Sequence, residues 1–486
     1  LFEKSNTILK IFWFRKDLRI SDNAGLSDFI KDYGNGEIFS FIYIKNKNTY
    51  VYSGKKRIEF LDESLKDLKE NLAKYNLILN VIEGNSENIF KTLTGYYGNI
   101  CIYANYQVEP YCIKRDEIIK KIIEKNNGVF KLFTDTTIFK CGEIMKDDGT
   151  PYTVYTPFSK KLKLLLTKKQ YNTYVYKIST LNKKYNIDLK KENIELDFYE
   201  FNGKKPERIF YGGRTKGIKL LNEFIDNRIE KYKSQRDFPA VDGTSRISAH
   251  IHFGTVSIRE CLGKAMNLIK NSKYENEIQT WINELLWREF YYNITFHFSY
   301  IINYSFKKEY DNLKWNYNRK MFRLWCEGKT GYPIIDAAMR QMNEEGWMHN
   351  RVRMATAMFL TKDLFIDWRW GEKYFAEKLI DLDFSSNNGG WQWSASTGCD
   401  AQPYFRIFNP VLQSKKFDTE GIFIKKYLPE LRNLPSKFIH EPWIFSDDIL
   451  KSCKIKIGKD YPLPIVNHFE AKERVINEFR AINKNQ

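Results

Sequence analysis

No run of about 18 apolar residues occurs anywhere in the sequence, so it offers no membrane-spanning helix. The opening LFEKSNTILKIFWFRKDLRI is broken by charge too often to read as a secretory signal. Cysteine supplies no scaffold either. Cys101, Cys112, Cys141, Cys261, Cys326, Cys399 and Cys453 are an odd, scattered set with no CxxC pair and no histidine at metal spacing. That pattern argues against both a disulfide framework and a zinc site, and for reduced, mostly buried thiols. Internal repeats are missing as well. These absences lead us to expect a soluble, intracellular protein with no metal. Negative charge is in deficit: 60 Asp and Glu stand against 78 Lys and Arg, a formal net charge of +18. The excess favours a polyanionic partner, either nucleic acid or an anionic membrane surface, and charge alone does not choose between them.

What is present is apolar and aromatic surface. Hydrophobic residues make up 43% of the chain and aromatics 16%, spread along its 486 residues, which is enough for two domains with cores of their own. Residues 1–135 alternate β-rich apolar runs (ILKIFWF, EIFSFIYI, LILNVIEG, NICIYAN) with helical segments. This is the pattern of an α/β, doubly wound parallel sheet. Ile58, Leu61, Leu65, Leu68 and Leu72 recur at three-and-four spacing, which predicts an amphipathic helix covering one sheet face. Residues 136–205 are rich in Lys, Tyr and Asn with weak periodicity and read as a long connecting segment. In residues 206–486 helical periods dominate, which predicts an all-α second domain.

Four segments carry candidate chemistry. In DGTSRISAHIHFG (242–254), Thr244, Ser245, Arg246 and Ser248 sit at an expected helix start, where hydroxyls and free N–H groups hold a phosphate or simply cap the helix. In WINELLWREF (281–290), helical spacing turns Trp281, Glu284, Trp287 and Arg288 to one broad face. That face is either a core stripe with an ion pair or part of a site. HNRVRMATAMF (349–359) places Asn350, Arg353 and Met354 at i, i+3 and i+4. The densest segment is LIDLDFSSNNGGWQWSASTGCDAQPYFRIFNP (379–410), where Asp381, Asp383, Asn387 and Asn388 precede an expected Gly-Gly turn and Trp391 and Trp393. Amides and carboxylates beside indoles suit a planar heteroaromatic ligand, whose edge needs hydrogen bonds and whose faces need packing. An ordinary turn between buried tryptophans is the competing reading.

FWFRKDLRISDN (12–23), TSRIS (244–248), WINELLWREFY (281–291), EGKTGYPIIDAAMRQM (327–342), GWMHNRVRM (346–354) and the 379–410 segment, in this order, resemble the cryptochrome and photolyase family. The resemblance runs over nearly the whole length and is strongest to class I cyclobutane pyrimidine dimer photolyases. It implies FAD in the helical domain. Tyr232, Thr244, Ser245, Arg246, Ile247 and Ser248 would hold its phosphate region with Trp281 and Arg288 nearby, Asp381 and Asp383 would contact the ribityl and isoalloxazine region, Arg353 would pair with Asp381, and Asn387 would face flavin N5. For a flipped dimer in damaged DNA it implies hydrogen bonds from Glu284 and Asn350, apolar packing by Trp287 and Trp393, and Met354 alongside. It further implies DNA phosphate contacts by Arg236, Arg351 and Arg406, and electron supply to the flavin through Trp391, Trp368 and Trp315.

The implied reaction is light-driven electron transfer from FADH⁻ to the dimer and back. Relatives that repair (6-4) photoproducts carry two histidines at the lesion, where this sequence has Asn350 and Met354. One departure concerns the antenna: Tyr111 and Cys112 stand where folate-binding members have an Asn-Glu pair. That argues against folate and leaves a deazaflavin, another flavin or an empty antenna site open. The alternative function is a non-enzymatic cryptochrome-type light receptor, against which stand Asn387 and the short stretch after YPLPIVNH. The remaining expectations are a monomer with no obligatory protein partner, located in the cytoplasm, at the nucleoid of a bacterium or in the nucleus of a eukaryote.

Overall fold

The computed structural model describes residues 8–34, 36–46, 53–201, 210–269 and 272–484. Contacts divide the chain into two compact units. The first comprises Leu1–Tyr152, Thr156–Asn227 and Ser245–Ser299, and the second Thr153–Tyr155, Arg228–Thr244 and Tyr300–Gln486.

The first unit is built on a sheet of β1 (Leu9–Phe14), β2 (Phe39–Lys45), β3 (Leu79–Glu83), β4 (Ile100–Asn105), β5 (Val129–Phe133) and β6 (Asp197–Phe198) in the order β5-β4-β1-β2-β3-β6. β1 to β5 are parallel, with Lys10 opposite Phe39 and Cys101, and the short β6 is antiparallel to β3. Every residue of β1, β2 and β4 is buried, as expected for parallel strands covered on both faces. The cover comes from α1 (Ala24–Lys31), α2 (Lys55–Ala73), α3 (Ser86–Tyr97) and α4 (Pro110–Glu124). α2 buries Leu61, Leu65, Leu68 and Leu72, and Ile58 is half-buried. The four apolar runs and this helix are where the sequence places them. The segment 136–205 is more structured than a plain connector: it holds α5 (Tyr155–Leu165) and the edge strand β6. The unit continues with α6 (Arg214–Asn227), α7 (Ile258–Ile269) and α8 (Glu275–His297).

Residues 12–23 hold this unit together through charge. Arg15 grips Asp116 with two bonds of 2.7 and 2.9 Å, and Asp17 accepts from Asn105 Nδ2 and the Arg15 N–H, both at 2.5 Å. Asn23 caps α1 by accepting from Leu26 N. Arg19 and Arg259 both bond Asp135, at 2.7 and 2.6 Å, and Arg259 also bonds Asp22. Burial would raise the Asp135 carboxyl, but its two guanidinium partners hold it down at about 2.

The second unit is helical, with α9 (Arg319–Glu327), α10 (Pro333–Glu345), α11 (Asn350–Met358), α12 (Trp368–Lys378), α13 (Phe384–Ala395), α14 (Pro410–Phe417) and α15 (His468–Lys484). Its core includes Trp325, Met339, Leu360, Trp368, Phe375 and Trp391. Among the described residues no helix is long and apolar enough to cross a membrane.

Candidate functional site

Within the first unit, α8 turns Glu284, Trp287 and Arg288 toward a half-exposed face while burying Trp281 at 2% exposure. The Trp281 Nε1–H donates to Ser245 Oγ at 3.3 Å and its ring meets Phe224 at 5.0 Å, which ties residues 245–248 to the helix. Arg246 is held at φ +51°, a left-handed conformation uncommon for a residue with a side chain and typical of functional sites. Ile247 is buried, and the short helix begins only at Ser248, so Ser245 and Arg246 precede its first turn. Trp287 packs edge-on to Phe290 at 5.7 Å. Arg288 donates to Thr136 O at 2.7 Å and Tyr292 Oη at 2.9 Å. Its neighbour Glu289 is fully buried and accepts from Ile138 N at 2.9 Å; burial pushes its carboxyl up to about 7.

Within the second unit, α11 starts at His349, a buried residue whose Nδ1 accepts from Arg351 N at 3.2 Å and so caps the helix. Asn350 and Met354 are side-chain neighbours one turn apart, with Asn350 Nδ2 3.8 Å from Met354 Sδ, on the accessible side of the helix. Arg353 donates to Met348 O at 2.7 Å and closes on Asp381 with two contacts of 2.8 and 3.1 Å. Asp383 caps α13, its Oδ1 accepting from Ser386 N at 3.0 Å.

Gly389 and Gly390 form no turn. They lie inside α13, which Asp383 starts and the buried Trp391 and Gln392 anchor, so packing overrides the poor helix propensity of glycine. Ser386, Gly389, Gly390 and Trp393 share one half-exposed face, and a Cβ on Gly390 would meet nothing within 4 Å. Gly390 therefore leaves open space on the face that carries an indole, room that a flat ring can use. Asn387 lies at its border, with Nδ2 donating to Glu372 O at 3.2 Å, which leaves its carbonyl oxygen as the acceptor for a ligand N–H. Asn388 is buried and bonds Ile301 O and the Glu372 carboxylate, so it is a support rather than a ligand group. Burial raises Glu372 to about 7. Among the described residues no group of three or more His, Cys, Asp or Glu could hold a metal ion.

Two family models match the chain: "DNA photolyase" over residues 10–173 and "FAD binding domain of DNA photolyase" over residues 281–481. A deoxyribodipyrimidine photo-lyase of Alkalihalophilus pseudofirmus is 37% identical over 97% of this chain and 98% of its own. The chain belongs to the DNA photolyase family. Its fold is that of the family's solved members. A class III photolyase from Agrobacterium tumefaciens superposes with a TM-score of 0.85 at 33% identity, covering 100% of this chain and 99% of that one. An archaeal photolyase from Sulfolobus tokodaii, described with two FAD molecules, reaches 0.78 at 32% identity over 97% and 100%.

The three arginines expected at DNA phosphates all lie in the second unit. Arg351 bonds Asp237 at 2.7 Å and lies 4.4 Å over the Phe417 ring; Arg236 lies 5.6 Å over Tyr232 and 3.9 Å from the same Asp237. Arg406 is exposed beside the exposed Phe405. Sequence reasoning missed Asp237 and Glu372. The first is one charge among many. The second sits fifteen residues before the asparagine it positions, and no spacing rule links them. The three tryptophans expected to supply electrons are all buried, Trp368 at 0%, Trp391 at 2% and Trp315 at 6%, the last with its ring 4.9 Å from Phe365. At the antenna departure, Tyr111 is 53% exposed, and burial pushes the Cys112 thiol up to about 11.

Proposed function

We propose that this protein is a deoxyribodipyrimidine photo-lyase, which uses FAD and light to split cyclobutane pyrimidine dimers in DNA. The observation that carries this reading is the relationship over essentially full length, 37% identity with an enzyme of that name, together with the FAD-binding family match over residues 281–481. FAD, held by the residues named below, would supply the light-driven one-electron chemistry that splits a cyclobutane ring. The protein's part is to bind, orient and exclude water.

In the first unit, Ser245, Arg246, Ile247, Ser248, Trp281 and Arg288 are proposed to hold the cofactor's phosphate region. The left-handed Arg246 and the Trp281–Ser245 bond support that role. In the second unit, Tyr232 and Thr244 are proposed as phosphate contacts, and the Arg353–Asp381 pair and Asp383 would meet the ribityl and ring region. Asn387 would accept from N5–H. Enzymes that act on a base, photolyases among them, take it out of the stack. Glu284 and Asn350 would hydrogen-bond the extruded dimer, with Trp287, Met354 and Trp393 against its apolar surfaces. Arg236, Arg351 and Arg406 would contact DNA phosphates, and Trp391, Trp368 and Trp315 would return electrons to oxidised flavin. We infer a monomer acting without a protein partner in the compartment that holds the DNA. The test is the absorption spectrum of the purified protein, which should show flavin released as FAD on denaturation, followed by loss of dimers from irradiated plasmid in light and not in darkness.

A further inference from the structure

A carboxylate stands among the arginines expected at DNA phosphates. Asp237 Oδ1 accepts from Arg351 NH2 at 2.7 Å and lies 3.9 Å from Arg236 Nε. Each guanidinium also has an aromatic seat, Arg351 at 4.4 Å over the buried Phe417 ring and Arg236 at 5.6 Å over the buried Tyr232 ring. Cation–π contact holds both in place, so neither depends on the carboxylate alone for its position. Two arginines and one aspartate leave a single net positive charge, which weakens the attraction that a DNA-binding surface needs. We infer that Asp237 is an exchange anion. It occupies Arg351 and Arg236 in the free protein, yields them to a DNA phosphate on binding, and takes them back when repaired DNA leaves. The proposal rests on the reading that this surface binds damaged DNA.

The geometry suits exchange. The Asp381 side chain is 3% exposed and meets Arg353 with two contacts, 2.8 and 3.1 Å, which makes a closed pair. The Asp237 side chain is 33% exposed and holds Arg351 by one bond. Arg351 Nε is buried and meets no acceptor. The guanidinium is therefore only partly used, and a phosphate that forms two charge-assisted bonds can replace a carboxylate that forms one. A pair this open to solvent is weak enough to be displaced.

Arg351 follows Asn350 at the start of α11, so the exchange takes place beside a group proposed to bond the extruded dimer. While the dimer is bound, its contacts keep the phosphate on Arg351. Once the dimer is split those contacts are lost, Asp237 competes again, and the duplex leaves. Because Asp237 stays close to the phosphate that displaces it, the two arginines act on DNA as one net charge. Removing the carboxylate restores the second.

The experiment uses the FAD-bearing protein as wild type, Asp237→Asn, Asp237→Ala and Asp237→Glu, with a fluorescent duplex carrying one cyclobutane dimer and the same duplex undamaged. Binding is read by anisotropy across a salt series, and release by adding excess unlabelled duplex. Asp237→Asn and Asp237→Ala should each bind both duplexes roughly twofold to fivefold tighter at low salt. Each should steepen the slope of log K against log salt by about 0.9 and release undamaged duplex more slowly. Asp237→Glu keeps the charge and should keep the wild-type slope. Weaker binding by the Asn and Ala variants, with a slope unchanged or flatter, would make Asp237 a prop for Arg351 and overturn the exchange. Loss of FAD with a lowered urea midpoint in both variants would make it a structural group and overturn the exchange as well. Wild-type protein that carries FAD but shows no salt-dependent binding to either duplex would instead contradict the DNA reading itself, and the exchange with it.

Discussion

Glu284 and Glu289 lie five residues apart on one helix and do different work. Glu284 is on the half-exposed face with Trp287, where its carboxyl group is within reach of a ligand. Removing a group that stabilises developing charge typically costs about 10²-fold or more in rate, so Glu284→Ala should lower dimer repair by about that factor and leave FAD content unchanged. Repair rate and flavin stoichiometry measured on one preparation check both halves. Glu289 is inside, bonding Ile138 N, and its carboxyl is raised from about 4.5 to about 7 by burial. The folded state therefore holds a proton that the unfolded state releases. The stability this contributes is complete below about pH 4.5 and is lost as pH rises toward about 7. Glu289→Gln should raise stability at pH 8 by about 1–3 kcal/mol and give no gain at pH 4, as read from urea midpoints.

At the scale of elements, α12 and α13 approach so closely that a Cβ on Gly371 would lie 2.1 Å from Trp391 Cη2 and 2.6 Å from Leu360 Cδ2. Gly371→Ala should destabilise by at least about 1–3 kcal/mol through overpacking, and should slow flavin photoreduction by displacing Trp391. Urea titration and absorbance under illumination read the two effects. Elements also show how far the sequence is legible. β1 to β4 are plain in it because strands buried on both faces must be continuous apolar runs. β5 (VFKLF) is not, because it is an edge strand with Lys131 in its middle and an exposed Val129. β6 has two residues, too few for any period. The glycine pair of α13 reads as a turn from local propensity. Only the buried Trp391, Gln392 and Asn388 on its opposite side explain why the helix continues. Asp381, Asp383, Arg353 and Asn387 are legible as a polar cluster. Asn387's direction is not, since it depends on a backbone carbonyl of α12.

At the scale of the whole molecule, the +18 charge supplies long-range attraction to DNA, while specificity must come from the few groups at the lesion. Arg236 and Arg351 already share Asp237, so part of their charge is spoken for. Arg406 is exposed and should act as a phosphate contact of its own. Arg406→Ala should weaken binding to damaged duplex and flatten the slope of log K against log salt by about 0.9, measured by fluorescence anisotropy across a salt series. On the proposed reading, the lesion is decided at Asn350 and Met354. Reversing a (6-4) photoproduct moves a proton with the electron, and neither side chain is an acid near neutral pH. His349 spends its Nδ1 on capping α11 from a buried position. The most direct measurement is to give the reduced protein a cyclobutane dimer and a (6-4) photoproduct in separate oligonucleotides, under blue light and in darkness, and to quantify restored bases. Restoration of the dimer in light alone, with the (6-4) lesion untouched, is the predicted result; restoration of the (6-4) lesion with the dimer left intact would contradict it.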